Sequence, residues 1–265
     1  MDPLIKNNVK VTGNTASTRT LVFGHGFGTD QTSWRSVTEA FQDHYRIIVF
    51  DNVGSGTATY PGYSQARYAH LQSYADDIVD LCDALQIRNS TYIGHSVGAM
   101  MGMLASLKAP EIFTTHVFMN ASPRYLNDTN YRGGFEQSDL DALYRSMADN
   151  YQAWVSGFAP AVMANPDRPQ LATEIARSLA ALRPDIALPV LKAIFQSDFR
   201  TSLSAFNKYS LIIQSNHDIA VPMEVGQYLS QNINNSVYTV INATGHFPHI
   251  SAPEEVVRAI KSFLR

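Results

Sequence analysis

A serine between two glycines is the first candidate for chemistry in this sequence. Residues 92–102 read YIGHSVGAMMG and place Ser96 between Gly94 and Gly98. The apolar residues before Ser96 are typical of a buried strand and those after it of a helix, which is the setting of a nucleophile elbow. In that turn the serine takes strained backbone angles, and its hydroxyl points out at the carboxyl edge of the sheet. We interpret Ser96 as a nucleophile; the alternative is an ordinary glycine-rich turn.

A serine hydroxyl is a weak nucleophile and needs a base. His246 lies in NATGHFPH, after the last strand-like segment and before the last helical one. The chain order serine, acid, histidine places the base there. His249 follows three residues later, so a metal site on the two histidines is an alternative, although no cysteine or carboxylate cluster completes it. His95 adjoins Ser96, and since adjacent side chains diverge at an elbow we interpret it as structural.

The orienting acid should follow the strand that precedes the one leading to His246. The segment LIIQSNHDIAVP offers Asp218 at this point. Its carboxylate would accept from the imidazole, fix the tautomer and stabilise the imidazolium. The alternative is a turn aspartate that caps the segment VPMEVGQYL. His217 is the nearest rival polar group, and we expect it to be exposed.

The oxyanion of an acyl-transfer reaction needs two backbone donors. One is expected from Val97, directly after the nucleophile, and the other from Phe27 in the loop GHGFG at 24–28. A glycine-rich loop can also hold phosphate, but neither a P-loop nor a dinucleotide fingerprint is present, which makes a nucleotide site improbable. The segment DNVGSG at 51–56 also follows a strand, and we interpret it as a structural turn.

The elements that must position these residues alternate through the first half of the chain. Short apolar, β-rich runs predict strands at 20–23, 46–50, 91–93, 116–120, 209–214 and 237–241. Helical patterns cover 33–41, 71–85, 97–107 and 253–264. Strand and helix in alternation predict a mostly parallel, doubly wound α/β sheet with right-handed crossovers.

The alternation stops near Ser122 and resumes after Phe199. Between them we predict helices at 138–151, with Ser138 as N-cap, at 169–182 and at 185–195, punctuated by prolines. The simplest organisation is one α/β core formed by residues 1–122 and 200–265, interrupted by a helical lid at 123–199.

Composition restricts the function further. The chain has 265 residues, a net charge of −3 and one cysteine, Cys82, which lies in a helical pattern and is expected to be buried. The charge balance argues against nucleic acid and anionic membranes as partners. No apolar run reaches the ~20 residues that span a bilayer, and the N-terminus resembles neither a signal nor a transit peptide. We expect a cytoplasmic protein, with the nucleus as a further location if the source is a plant.

The predicted lid is rich in large apolar side chains that could line a pocket above Ser96. They are Tyr125, Phe135, Tyr151, Trp154, Phe158, Ile194 and Phe195. Few charges are positioned to face such a pocket. The predicted ligand is therefore small, neutral and largely apolar, with an ester, lactone or enol-ether carbonyl, and no cofactor or metal is expected.

Several long motifs also resemble a known family. GHGFGTDQTSW, FDNVGSGT, GHSVGAMMGMLAS, SPRYLND, GGFEQSDL, NYQAWVSGFAP, RPDIAL, FQSDFR and QSNHDIAVP are similar to segments of the plant strigolactone and karrikin receptor hydrolases and of a bacterial stress-signalling relative, RsbQ. The resemblance runs from Gly24 to the C-terminus. It implies an α/β-hydrolase fold with a four-helix lid, and slow hydrolysis of butenolide-type or similar small esters.

The resemblance also implies roles for individual residues. The family's catalytic triad corresponds to Ser96, Asp218 and His246, and its oxyanion donors to Phe27 and Val97. Its pocket residues correspond to Phe27, Tyr125, Phe135, Trp154, Phe158, Ile194, Phe195, Ile219 and Phe247. The plant receptors typically carry a serine where Gly98 stands and a lysine where His217 stands, so the sequence lies between the plant and bacterial branches.

Two hypotheses of different classes follow. The first is a serine hydrolase that works through an acyl-enzyme. The second is a ligand-responsive receptor or an RsbQ-like regulator, in which binding or slow hydrolysis lets the lid present a surface to a signalling protein. A haloalkane dehalogenase is disfavoured because it would need aspartate at position 96, whereas a hydroxynitrile lyase, which also uses a serine triad, is excluded less firmly.

Overall fold

The computed structural model describes residues 1–55 and 60–265. Within these ranges the strands form one seven-stranded sheet in the order β1-β3-β2-β4-β5-β6-β7. β1 runs antiparallel to β3, and the other neighbouring strands are parallel. The strands are β1 (Lys10–Gly13), β2 (Thr20–Gly24), β3 (Arg46–Val49), β4 (Ser90–His95), β5 (Phe113–Met119), β6 (Tyr209–His217) and β7 (Ser236–Thr244).

Helices cover both faces of the sheet and its carboxyl edge. In chain order they are α1 (Pro3–Lys6), α2 (Arg35–Thr38), α3 (Gln72–Ala84), α4 (Val97–Lys108), α5 (Gln137–Asp149), α6 (Tyr151–Met163), α7 (Pro169–Ala180), α8 (Pro184–Phe195), α9 (Met223–Asn232), α10 (Pro248–Ser251) and α11 (Pro253–Phe263). Short 3-10 helices add Gln31–Trp34, Tyr60–Gly62 and Arg200–Ala205.

The central strands are apolar on both faces because helices bury both. Along β2, Val22 packs on the side of α3 and α4, whereas its neighbours Leu21 and Phe23 pack on the side of α2 and α11. The same alternation separates Tyr92 from Ile93 in β4, as the two-residue period of a strand requires. The predicted doubly wound α/β sheet is confirmed, and it brings the carboxyl ends of β4, β5, β6 and β7 side by side.

Helices α5 to α8 lie between β5 and β6 in the chain, where the strand–helix alternation was predicted to stop. One of them was missed by the pattern. The sequence predicted a helix at 138–151 and none from 151 to 163, but α5 ends at Asp149 and α6 occupies the second segment. Proline inside a sequence segment normally indicates that a helix ends there. Pro160 nevertheless lies inside α6, which continues to Met163.

Other local predictions need correction. Ser138 is not the N-cap of α5, because Glu136 fills that position in a capping box with Asp139. The helix predicted at 33–41 is a 3-10 turn followed by the four-residue α2. β1 was not predicted because it is a short, fully exposed edge strand without an apolar face. Cys82 is buried as expected, and no helix in the described part of the chain is long and apolar enough to cross a membrane.

Candidate active site

Ser96 occupies the sharp turn between β4 and α4. Its backbone angles, φ 53° and ψ −129°, lie in a region that non-glycine residues rarely enter. The amide of Ser96 donates to the carbonyl of Met119 at 2.8 Å, which ties the turn to the end of β5. The strained conformation is thus held by the neighbouring strand, and the side chain projects at the carboxyl edge of the sheet.

The glycines on either side of Ser96 are required by close backbone approach. A Cβ at Gly94 would lie 2.3 Å from the Cα of Ala99, and one at Gly98 would lie 2.4 Å from the carbonyl oxygen of His25. Neither neighbour is a flexible side chain that could move aside. The glycine-serine-glycine spacing therefore follows from the packing of α4 against β4 and against the loop after β2.

Ser96, His246 and Asp218 form a hydrogen-bonded chain. The Nε2 atom of His246 is 2.8 Å from the Ser96 Oγ atom, and its Nδ1 atom is 2.7 Å from Asp218 Oδ2. Because an ionised carboxylate only accepts, Nδ1 carries the proton and Nε2 of the neutral ring accepts from the serine hydroxyl. All three residues are buried.

The second oxygen of Asp218 is bonded to its own turn. Oδ1 accepts from the amides of Ala220 at 2.8 Å and Val221 at 3.2 Å. This is the turn-capping interaction that the sequence offered as the alternative to an orienting acid. The carboxylate makes both sets of contacts, since Oδ1 faces the turn and Oδ2 faces His246.

The loop that carries His246 is fixed by contacts from two sides. The His246 amide donates to the carbonyl of Val162 in the last turn of α6 at 2.8 Å. On the other side, Nε2 of His95 lies 2.6 Å from the His246 carbonyl oxygen and must carry a proton, because a carbonyl only accepts. His95 is therefore a buried support for the His246 backbone, as its predicted structural role requires.

The two predicted oxyanion donors flank Ser96. The loop after β2 lies against the serine, since a Cβ at Gly26 would fall 3.0 Å from the Ser96 Cβ atom. Phe27 follows in this loop, and Val97 begins α4. Within residues 1–55 and 60–265, neither the Phe27 nor the Val97 amide has a hydrogen-bond partner. Both N–H groups are thus available to a ligand oxygen.

A histidine and an asparagine stabilise the loop of Phe27. His25 Nδ1 donates to the Gly26 carbonyl at 2.8 Å, and its Nε2 accepts from the Asn52 amide at 3.0 Å. The Asn52 side chain in turn donates to the His25 carbonyl at 3.1 Å. The segment predicted as a structural turn at 51–56 therefore supports the loop after β2 as far as it is described; its last residue, 56, lies outside the described residues.

A small cavity lies directly above Ser96. Its volume is ≈ 40 Å³. Its walls are formed by the catalytic candidates and by apolar residues of the core, α6 and α8: Phe27, Ser96, Tyr125, Phe158, Val162, Leu191, Ile194, Phe195, Ala220, His246 and Phe247. A volume of this size holds a few water molecules or a short acyl group.

Four residues predicted to line the pocket lie outside this wall. The hydroxyl of Tyr151 donates to the Leu179 carbonyl at 2.7 Å. Trp154 stacks on Phe158 with ring centroids 4.7 Å apart, and Phe135 packs edge-on against Phe195 at 5.1 Å. Both contact the wall from behind. Ile219 is 45% exposed, because it follows Asp218 in a turn that directs its side chain outward.

Tyr125 brings a second hydroxyl to the cavity. Its oxygen lies 3.4 Å from Ser96 Oγ, and the side chain is buried. Burial, opposed by the hydrogen bond to Ser96, raises the pKa of Tyr125 well above its usual value. The phenol is therefore neutral and can donate a hydrogen bond to a ligand held at Ser96.

Several site residues were not found from the sequence. Val162, Leu191 and Ala220 line the cavity as ordinary aliphatic residues, and helical spacing relative to Phe158 and Ile194 is the only signal that could have suggested the first two. Asn120 follows β5 and donates to Asp218 Oδ2 at 2.8 Å. A polar residue at the carboxyl end of a central strand was the available signal for it.

The other histidines lie apart from the cavity wall. His217 is exposed, as predicted. His249 is fully buried with its ring 4.5 Å from those of Trp34 and His95, and neither of its nitrogens has a hydrogen-bond partner among the described residues. The part of the chain that the structure describes contains no group of three or more His, Cys, Asp or Glu side chains that could hold a metal ion.

Comparisons with known proteins identify the family of the chain. Residues 21–259 match the model of the alpha/beta hydrolase family. The karrikin insensitive 2 receptor CA of Petunia hybrida is 44% identical over 95% of this chain and 93% of its own length. The strigolactone esterase RMS3 of Pisum sativum is 40% identical over 96% and 95%. A solved hydrolase from Oleispira antarctica superimposes with a TM-score of 0.95 at 34% identity, over 99% of this chain and 96% of that one.

Proposed function

The chain belongs to the α/β hydrolase family, and we propose that it is a serine hydrolase of small, neutral, largely apolar esters or lactones, including butenolides. The observation that carries the proposal is the chain of hydrogen bonds from Ser96 through His246 to Asp218 at the floor of an apolar cavity. The names of the relatives, a karrikin receptor and a strigolactone esterase, support the ligand class.

In the proposed reaction the Ser96 oxygen attacks the substrate carbonyl while His246 Nε2 takes its proton. The oxyanion that forms accepts from the free amides of Phe27 and Val97. Asp218 stabilises the imidazolium, which then donates its proton to the leaving alcohol. Water, activated by His246, releases the acid from the acyl-serine. The neutral Tyr125 hydroxyl donates to a substrate oxygen beside Ser96.

The cavity limits the part of the substrate that lies beyond the carbonyl. A cavity of ≈ 40 Å³ favours a short acyl group. Longer or branched acyl groups need α6 and α8 to separate, since Phe158, Val162 and Ile194 form part of its wall. We propose on this basis that residues 123–199 act as a lid, and that the rate falls steeply with acyl length.

The test compares wild type with Ser96→Ala on a fluorogenic butenolide and on p-nitrophenyl acetate. Removing the nucleophile should lower kcat by about 10⁴-fold or more. Ser156→Ala, an exposed serine on α6, is the matched control and should keep wild-type rates. If Ser96→Ala turns over either ester at the wild-type rate, the proposal is wrong.

A receptor function is the second candidate, and one contact favours it. The His246 amide is bonded to the Val162 carbonyl of α6, so the position of the lid and that of the base are mechanically connected. A ligand that remains covalently attached would then hold the lid in a changed position. One equivalent of product with a mass adduct on Ser96 or His246, together with a shifted melting temperature, would support this function. Sustained turnover with an unchanged melting temperature would oppose it.

A further inference from the structure

Asn120 lies between the strands that carry the nucleophile and the acid. It follows β5, whose neighbours are β4, leading to Ser96, and β6, leading to Asp218. Its side chain is fully buried, and its backbone has φ 45° with the amide donating to the Ile213 carbonyl at 2.9 Å. The residue before it, Met119, accepts the amide of Ser96. Asn120 is thus fixed at the centre of the site without contacting the cavity.

The orientation of the Asn120 amide is determined by its neighbours. Its Oδ1 atom accepts from the backbone N–H of Ser215 at 3.0 Å, and a backbone N–H can only donate. The opposite face must therefore be the NH₂ group, which resolves the ambiguity between the two amide atoms. Nδ2 then donates to Asp218 Oδ2 at 2.8 Å and to Ser215 Oγ at 2.9 Å.

The Asn120 bond ends on the same carboxylate oxygen that receives His246. Asp218 Oδ2 accepts from Asn120 Nδ2 and from His246 Nδ1, while Oδ1 accepts from the amides of Ala220 and Val221. Four donors on two oxygens restrict rotation of the carboxylate. Without Asn120, the imidazole would be the only donor left on Oδ2, and the imidazole must itself be positioned by that oxygen.

We infer that Asn120 is a positioning residue for the proposed reaction: it locks the Asp218 carboxylate toward His246 and shares its negative charge. The inference rests on the proposed function, because it assigns a role relative to the serine hydrolase site. Two effects should follow from loss of the bond. The carboxylate should become more mobile, which lowers kcat, and its charge should attract the imidazolium more strongly, which moves the acid limb of the pH profile to higher pH.

The buried histidines near His246 do not change their charge in the pH range of the kinetic experiment. The ring of His95 is 4.8 Å from that of His246, and burial with the neighbouring histidines holds the pKa of His95 well below its usual value. Burial likewise lowers the pKa of His249 to about 3. Both stay neutral across an assay range of about pH 5 to 9. The acid limb of kcat/KM then reports on His246 coupled to Asp218.

The experiment measures kcat, KM and the pH profile of kcat/KM for two Asn120 variants on p-nitrophenyl acetate. Asn120→Gly suits the positive φ and removes the side chain, while Asn120→Asp keeps the shape and replaces the donor with an acceptor. Asn216→Ala, an exposed asparagine at the same end of β6, is the control. Active-site titration counts functional sites, so partial unfolding lowers the number of sites and not kcat.

We expect kcat of Asn120→Gly to fall about tenfold with KM unchanged within about twofold, and the acid limb to move to higher pH. Asn120→Asp should lose more, because a second carboxylate beside Asp218 forces the pair to share a proton. An unchanged kcat and acid limb in Asn120→Gly, with wild type active and Ser96→Ala inactive, would overturn the role of Asn120 alone. A wild type without esterase activity would instead overturn the proposed function.

Discussion

Asp218 and Asp77 are both buried carboxylates, with side-chain exposures of 0% and 2%, but different kinds of donor surround them. Asp218 accepts from backbone amides, an asparagine and a neutral imidazole. Asp77, in α3, accepts from the ammonium of Lys6 at 2.6 Å, the guanidinium of Arg67 at 2.8 Å and the hydroxyl of Tyr68 at 2.7 Å. One carboxylate is stabilised by dipoles and the other by cations.

The difference separates a carboxylate that supports chemistry from one that holds the fold. The charge of Asp77 is already compensated, so its bonds anchor α1 and the segment of Arg67 to α3. Within the described residues no lysine or arginine forms an ion pair with Asp218, which contacts the imidazole of His246 instead. A positive charge that forms on His246 is therefore stabilised by this carboxylate, which is the condition for electrostatic support of a transition state.

The largest expected effect is on the Asp218 side of the comparison. Asp218→Asn should lower kcat about 10³- to 10⁴-fold, because an amide can donate to Nδ1 and reverse the imidazole tautomer. Its unfolding free energy should fall by only about 1 kcal/mol, since the turn amides keep an oxygen acceptor while the NH₂ group of Asn120 loses one. Steady-state kinetics and urea denaturation of the same preparation test this pair of effects. A large loss of stability with wild-type kcat per folded site would show that Asp218 holds the fold and does not support catalysis.

The Asp77 side should respond in the opposite way. Asp77→Asn removes the closest carboxylate from the buried Lys6 ammonium, to which Asp80 lies farther away at 3.9 Å, and should lower the unfolding free energy by about 3 kcal/mol. The value of kcat per titrated site should stay as in wild type. Denaturation midpoints and active-site titration measure the two quantities. Loss of kcat without loss of stability would show that the two carboxylates are not functionally distinct.

The next effect is the loss of folding stability at low pH, which we attribute to the buried neutral histidines beneath the site. Burial lowers the pKa of His249 to about 3 in the folded state, below the unfolded value of about 6.5. The unfolded chain therefore binds more protons, and stability is lost as pH falls through that window, by up to about 1.4 kcal/mol per pH unit for this group. His249→Phe should flatten the fall measured by denaturation at several pH values. His44→Gln, an exposed control, should leave the slope unchanged.

The smallest effect is expected at Arg67. Its side chain is 48% exposed, so solvent screens its bond to Asp77, whereas the Lys6 side chain is 11% exposed. Arg67→Ala should cost about 0.5 kcal/mol of unfolding free energy, and Lys6→Met several times more. Equal losses of unfolding free energy in the two variants, measured by the same denaturation series, would mean that the exposure of the cation does not determine the strength of its ion pair with Asp77.

The parts of the site that follow backbone rules could be predicted from sequence. The nucleophile elbow at Ser96 is indicated by the strand before it, the helix after it and the glycines at 94 and 98. The positions of Asp218 and His246 follow from where parallel strands end. The sheet order around β4, β5 and β6 then brings these loops together. Each of these inferences depends on residue type and local period alone.

The parts that depend on tertiary contact could not be predicted in this way. Asn120 looks like any polar residue at a strand end, and only the pairing of β5 with β6 brings it to Asp218. Helix α6 was missed because Pro160 signals a break. At the end of this helix the Val162 carbonyl accepts from the His246 amide and the Met163 carbonyl accepts from the Asn165 side chain, and neither contact can be seen in the sequence. The cavity wall includes Val162 and Leu191 through the packing of α6 and α8, which no local pattern specifies.

The most direct test of the account is covalent labelling by a fluorophosphonate, which reacts only with an activated serine. The account predicts one equivalent of mass on the intact protein, located on Ser96 by peptide mapping. The label should be absent in Ser96→Ala and form much more slowly in Asp218→Asn, while Asp77→Asn labels at the wild-type rate per folded site. Labelling at another serine, or equal rates in wild type and Asp218→Asn, would contradict the assignment of Ser96, His246 and Asp218 as one catalytic unit.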